Sequence, residues 1–233
     1  MAVINEHFLL DEQHLLRCRA FLRFPWLEHG FETRHGQMPR DGFQLASLKQ
    51  IHSSIVIAPP DAPGECGEGD ALVTQRAGQL IAIRTADCVP VLLVDPETRA
   101  VAAIHAGWRG VVGEVIPNAI GQMRRNYETK PDALLAAIGP CIQLSAFEVG
   151  PEVAIEFRHL FPERDDLDTK CHIDLAEACR RQLLAAGLAD EHIFDSKQCT
   201  LSTPELYHSY RRDGAKQAGR MQAFIGVRQT INA

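Results

Sequence analysis

The strongest constraint on the fold is a pair of apolar runs, "VPVLLVDP" (89–96) and "AVAAIHAG" (100–107), separated by only a few polar residues. A half-buried strand alternates apolar and polar side chains, whereas these runs are almost continuously apolar. That pattern predicts strands covered on both faces. The Asp-Pro start of the intervening "DPETR" favours a tight turn between them. A strand pair that hides both faces needs a layer of structure on each side.

The rest of the chain can supply those layers. "SSIVIAP" (53–59), "QLIAIRTA" (79–86), "DALLAAIG" (132–139) and "MQAFIGV" (221–227) read as further strands. Over 110–128 the apolar residues Val112, Val115, Ile116, Ala119, Ile120 and Met123 fall at helical spacing, with Pro117 expected to kink or break the helix. Residues 150–161 read as a second helix with Pro151 near its first turn. Residues 172–188 read as a third, capped by Asp174 and ended by Gly187. "APPDAPGECGEGD" (58–70) is expected to form a long surface loop. Alternating helices and buried strands predict a layered α/β or α+β domain.

Composition removes several classes of function. A net charge of −6 gives no support to nucleic-acid binding, and no apolar run is long enough to span a bilayer. The N-terminus lacks the basic start, apolar middle and small-residue cleavage site of a signal peptide. Seven cysteines at irregular spacing do not make a disulfide framework, so a reducing cytoplasm is the expected compartment. The chain has no phosphate-loop motif, no G-x-G-x-x-G, no G-x-S-x-G elbow and no C-x-x-C pair.

What remains is a dispersed set, His52, Cys88 and His105, each at or near the end of an expected strand, where loops of a layered fold build sites. Two readings stand. Two imidazoles and a thiolate suit Zn²⁺ and leave a fourth position for water or substrate. The same Cys and His also suit a nucleophile–base pair that needs no metal. Spacing alone does not select these three from ten histidines and seven cysteines.

Four blocks in order, "TADCVPVLLVD", "AAIHAGWRG", "IGPCIQLSAFEVGPEV" and "CTLSTPELYHSYRRDGAKQAGR", resemble the laccase-domain family, also called the multicopper polyphenol oxidase or YfiH-like family. The resemblance covers most of the chain from about residue 50 onward. It implies an α+β fold, a mixed β-sheet sandwich flanked by helices, as one domain over 1–233. It also implies a metal site built from the His of a Q-x-H stretch, the Cys of T-A-D-C and the His of H-A-G-W-R-G, which are His52, Cys88 and His105 here. Zn²⁺ is the expected ion, with Cu²⁺ as its competitor. One departure is visible. Family members carry a longer segment before Q-x-H, with an Asn-Arg pair whose Arg reaches the active site. That segment is shortened here, and Arg34 and Arg40 are the nearby arginines, each as readily a solvated loop charge.

The family name implies copper oxidation of phenols, but a multicopper oxidase needs many histidine ligands, typically as H-x-H pairs, and this chain has none. The resemblance also implies purine nucleoside chemistry: phosphorolysis of adenosine, inosine or methylthioadenosine, and deamination of adenosine. The partners would then be a small-molecule nucleoside and phosphate, with Asp87 as a proton carrier and Arg211, Arg212 or Arg220 as phosphate contacts. Copper-dependent polyphenol oxidation stays as an alternative, and two others accompany it. One is a cytoplasmic editing amidase that releases L-serine from a UDP-muramyl precursor. The other is a structural zinc clip with Cys141 as fourth ligand. Asp70 in "GEGDALVT" reads as a turn former, and Trp108 as a core anchor rather than a purine platform. Oligomeric state is not legible.

Overall fold

The computed structural model describes residues 1–217 and 219–229. The two apolar runs form antiparallel strands, Val89–Val94 and Val101–Ala106, in register from Val89 opposite Ala106 to Val94 opposite Val101. Every residue of both strands is buried. They occupy the centre of a six-stranded sheet, with Leu135–Ile138 and Ile193–Asp195 on one side and Ala71–Thr74 and Val56–Ile57 on the other.

Alternation of side chains across the pleat explains the double burial. Leu92, Val94, Val101 and Ala103 pack against Ile81, Ile83, Ala223 and Ile225 of a second sheet. Val91, Leu93, Ala102 and Ile104 point the other way, into a cluster with Ile116, Ala119, Ile120 and Met123 of one helix and Ala178, Cys179 and Leu183 of another. The result is three layers: sheet, sheet, helices. Each fully buried Leu, Ile or Val contributes roughly 1.5–3 kcal/mol of transfer free energy, so the central sheet gains on both faces.

The second sheet has eight strands, with Met221–Val227 between Leu27–Phe31 and Gln79–Thr85 and antiparallel to both. Gln44–Lys49 runs parallel to Gln79–Thr85 and to Gly64–Glu68. In the central sheet, Leu135–Ile138 pairs in parallel with Ile193–Asp195. The molecule is therefore α+β with mixed sheets, as the sequence leads one to expect.

Particular expectations need correction. Of 53–59 only Val56–Ile57 is strand. The 58–70 stretch contains an exposed strand, Gly64–Glu68, at the edge of the larger sheet. The 110–128 helix is broken, but not by Pro117. Trp108–Val112 ends at Gly113, and Glu114 adopts φ 63 before Val115–Tyr127 begins. Pro117 then lies in the first turn, where its missing N–H has no helical partner to lose. The helix at 150–161 is short, Pro151–Ala154, and continues as a 3₁₀ turn, Ile155–Phe157. The helix over Leu175–Ala185 is capped as expected: the Asp174 carboxylate accepts the Glu177 N–H at 2.9 Å, and Gly187 follows at φ 105. The N-terminal strands Phe8–Leu10 and Leu16–Cys18 extend the larger sheet. No helix among the described residues is long and apolar enough to cross a membrane.

Candidate active site

Antiparallel pairing explains why Cys88 and His105 sit at strand ends. The residue that precedes Val89 must lie beside the end of Val101–Ala106, because Val89 faces Ala106 and Pro90 faces His105. His52 arrives from elsewhere, on the loop after Gln44–Lys49, in the left-handed region at φ 58. One side-chain donor atom from each of His52, Cys88 and His105 lies within 4.8 Å of the others, a group that could hold a metal ion. His105 is buried, Cys88 is half-buried and His52 is exposed, so the group opens to one side.

Gly107 makes the room at its centre. A Cβ on Gly107 would stand 2.9 Å from His52 Nδ1 and 3.2 Å from Cys88 Sγ. Its φ of −71 is ordinary, so close approach rather than backbone freedom explains the glycine there.

Asp70 assembles the rest. Its carboxylate accepts the backbone N–H groups of Ile51, His52 and Ser53 at 3.3, 3.1 and 2.5 Å and the Ser53 hydroxyl at 2.7 Å. The same carboxylate accepts His105 Nδ1–H at 2.7 Å, which leaves Nε2 as the ring nitrogen open to the other members of the group. One fully buried acid thus shapes the His52 loop and fixes the His105 ring. Burial pushes the Asp70 carboxyl up, but the hydrogen bonds from His105 and Ser53 outweigh it and bring it to about 2. Asp70 therefore does more than form a turn.

The same balance governs the pair in front of it. Burial pushes the Cys88 thiol up, yet hydrogen bonds and charge from His105 and His52 lower it from 9.0 to about 6. Burial pushes His105 down, yet Asp70 and Cys88 raise it from 6.5 to about 9. Without an ion, Cys88 and His105 are thiolate and imidazolium at neutral pH.

The group forms one wall of a cavity of about 520 Å³. Asp87, Arg211 and Arg220 also line it, as do two residues the sequence reading passes over, Arg84 and Gln50. The one charged side chain in "QLIAIRTA", four residues before Cys88, is the available signal for Arg84. Asp87 sits at φ 87, and its carboxylate accepts Thr200 Oγ1–H at 2.6 Å, Ser209 Oγ–H at 3.0 Å and Arg211 N–H at 2.7 Å. Arg212 is not brought into the cavity. Its guanidinium holds the carbonyls of Thr200, Leu201 and Tyr207 and pairs with Asp213. Arg34 bonds the Tyr207 carbonyl, and Arg40 lies beside Glu32 and Met38, so neither enters. Cys141 is a buried free thiol whose backbone pairs with that of Cys199 in an isolated β-bridge, outside the His/Cys/His group. Trp108 packs against the helical core with Arg109 stacked on its ring at 4.3 Å.

This fold, a double sheet with a His/Cys/His group at the open end of its central hairpin, defines a class of α+β sandwich proteins. Residues 32–228 match the family described as multi-copper polyphenol oxidoreductase laccase, and the chain belongs to that family. It is 43% identical over 188 residues to a purine nucleoside phosphorylase of Deinococcus radiodurans, covering 78% of this chain and 70% of that protein. It is 40% identical over 164 residues to adenosine deaminase RL5 of an unknown prokaryotic organism, covering 68% of this chain and 61% of that one. The crystal structure of YlmD from Geobacillus stearothermophilus superposes with a TM-score of 0.83 at 28% identity, over 97% of this chain and 100% of that one.

Proposed function

We propose that the chain is a purine nucleoside phosphorylase acting on adenosine, inosine and methylthioadenosine, with adenosine deaminase activity at the same site. The observation that carries this reading is the convergence, in one cavity, of a His/Cys/His group with Arg211 and Arg220, whose guanidinium groups lie over the rings of Phe147 and Tyr210 in the same lining. The names of the relatives, a phosphorylase and a deaminase, point the same way.

The residues fit a zinc ion. Two nitrogens and a sulfur converge, Gly107 leaves the space between them, and Asp70 supports His105 as carboxylates support ligating histidines. His52, Cys88 and His105 would hold the ion, which when bound supplies Lewis-acid chemistry and water activation near neutral pH. The thiol of Cys88 is already low, so ligation costs little deprotonation.

In phosphorolysis an oxygen of hydrogen phosphate bonds to ribose C1′ while the C1′–N9 bond breaks, and the purine leaves carrying the proton that the phosphate gives up. Arg211 and Arg220 hold the phosphate, because guanidinium matches its geometry and charge. Each Asp87 oxygen already accepts a hydrogen bond, so we assign it to positioning. It ties the Ser209–Arg211 turn to the residue beside Cys88 and so aims Arg211. In deamination water replaces the 6-amino group and ammonia leaves.

One observation favours a second reading. Cys88, His105 and Asp70 stand in the order nucleophile, base and orienting acid, which suits amide hydrolysis of the editing type. The test is chromatography of adenosine incubated with metal-quantified protein, with and without phosphate. Phosphate-dependent adenine and phosphate-independent inosine are expected. No product from adenosine, inosine or methylthioadenosine overturns the phosphorylase reading, and serine release from a UDP-muramyl precursor then establishes the second.

A further inference from the structure

The cavity carries one more cation than the phosphorylase reading uses. Arg84 lies on Gln79–Thr85, whose neighbour Met221–Val227 pairs with it so that Thr85 faces Met221 and Arg84 faces Gln222. Arg220 comes one position before Met221, just past the end of that pairing. Arg84 and Gln222 are directly opposed in the ladder and so project from one face of the sheet. Arg84 and Arg220 thus flank the same end of this strand pair, and the Arg220 guanidinium stacks at 5.7 Å on the ring of Tyr210, which lines the same cavity, and donates to the Gly219 carbonyl. Both arginines are exposed and both line the cavity.

Arg84 is also held in place. Gln50 lies just past the end of Gln44–Lys49, and its side-chain amide continues the pairing of that strand with Gln79–Thr85. Gln50 Nε2–H donates to the Arg84 carbonyl at 2.8 Å, and Arg84 N–H donates to Gln50 Oε1 at 2.8 Å. The Arg84 guanidinium reaches back to the Leu48 carbonyl, at 3.3 Å. Among the described residues the one carboxylate lining the cavity is Asp87, which Thr200, Ser209 and Arg211 already engage.

We infer that Arg84 and Arg220 form an oxoanion clamp and that Arg84 is a specificity-determining residue for a phosphate group. This rests on the reading of the cavity as a nucleoside and phosphate site. The phosphate is either free inorganic phosphate or one carried at the 5′ position of a nucleoside, since both present the same dianion to a pair of guanidinium groups.

The test is calorimetric titration of the metal-quantified protein with inorganic phosphate, and separately with AMP and adenosine. The proteins are the parent, Arg84→Gln, Arg84→Lys and, as a control on the far helix, Arg125→Gln. Arg84→Gln is expected to weaken phosphate or AMP binding about tenfold or more. Arg84→Lys should recover part of that loss, because it keeps the charge but not the fork. Arg125→Gln should match the parent. Arg84-dependent binding of free phosphate places the co-substrate in the clamp. Arg84-dependent binding of AMP, with none of free phosphate, places a nucleoside-borne phosphate there. Equal affinities in the parent and Arg84→Gln, or no binding of either anion at millimolar concentration, overturn the clamp. Retained, Arg84-dependent phosphate binding without cleavage of any nucleoside overturns the phosphorylase reading alone.

Discussion

The two ends of the central hairpin solve the same problem with different reach. At the closed end Asp95 is fully buried, and its carboxylate accepts Glu97 N–H at 2.9 Å, Thr98 N–H at 3.2 Å and Thr98 Oγ1–H at 2.7 Å. Its partners are two and three residues away. At the open end Asp70 and Asp87 are also buried acids, but their partners lie 17 to 35 and 113 to 124 residues away. A local acid makes a turn. A long-range acid makes a site, because it pins side chains from separate segments around one space.

The comparison breaks most sharply at Cys88. Cys88→Ala removes a proposed ligand but none of the hydrogen bonds of Asp70 or Asp87. Turnover of nucleosides is expected to fall by a factor on the order of 10³ or more, while thermal unfolding followed by circular dichroism stays within a few degrees of the parent. Retained turnover with every candidate substrate would remove Cys88 from the site.

Gly107→Ala tests the space itself. The new methyl would stand 2.9 Å from His52 Nδ1, closer than real Cβ contacts come, so the histidine must move. Zinc affinity, measured by competition with a chromophoric chelator, is expected to drop about 10–100-fold, the range seen when ligand support is disturbed. Unchanged affinity would place the ion elsewhere.

Asp70→Asn and Asp95→Asn compare the two ends directly. Each replaces an acceptor-only carboxylate with an amide that has one acceptor oxygen, and both positions are fully buried. Asp70→Asn is expected to cost about 3 kcal/mol in urea unfolding, because charged hydrogen bonds to three backbone N–H groups, Ser53 and His105 are disturbed. Asp95→Asn should cost about 1–2 kcal/mol, with catalysis intact. Equal costs, with equal effects on metal content, would erase the distinction between local and long-range acids.

Legibility in the sequence follows the same line. The buried hairpin, the Asp95 turn, the Asp174 cap and the final strand Met221–Val227 are readable because their causes are local: continuous apolarity, an Asp-Pro step, a cap before a helical pattern. The break at Glu114 is not, and Pro117 draws the expectation away from it, although a proline in a first helical turn carries no penalty. The strand Gly64–Glu68 is hidden by its exposed, glycine-rich composition, because pairing with Gln44–Lys49 rather than burial defines it. At the site, motif resemblance singles out His52, Cys88 and His105. The linking role of Asp70 and the placement of Arg84 depend on which segments the sheets bring together, and no local pattern carries that.

The smallest effect lies in the pH dependence of stability of the ion-free protein, and its sign separates the two parts of the open end. Asp70 is lowered from 3.8 to about 2 in the folded state, so its contribution is present above pH 3.8 and is lost as pH falls toward 2. That shift corresponds to about 2 kcal/mol. His105, raised from 6.5 to about 9, contributes stability that is full below 6.5 and lost as pH rises to 9. Cys88, lowered from 9.0 to about 6, contributes stability that is full above 9 and lost as pH falls to 6. Between pH 6.5 and 9 the folded pair holds one proton, on His105, and the unfolded pair holds one, on Cys88. The two slopes therefore cancel, and urea midpoints are expected to stay flat across that window while falling below about pH 4. In Asp70→Asn the acid slope from this site disappears. A steep slope across the same neutral-to-alkaline window in the parent would mean that Cys88 and His105 do not share a proton, and the ion-pair description of the open end would have to be given up.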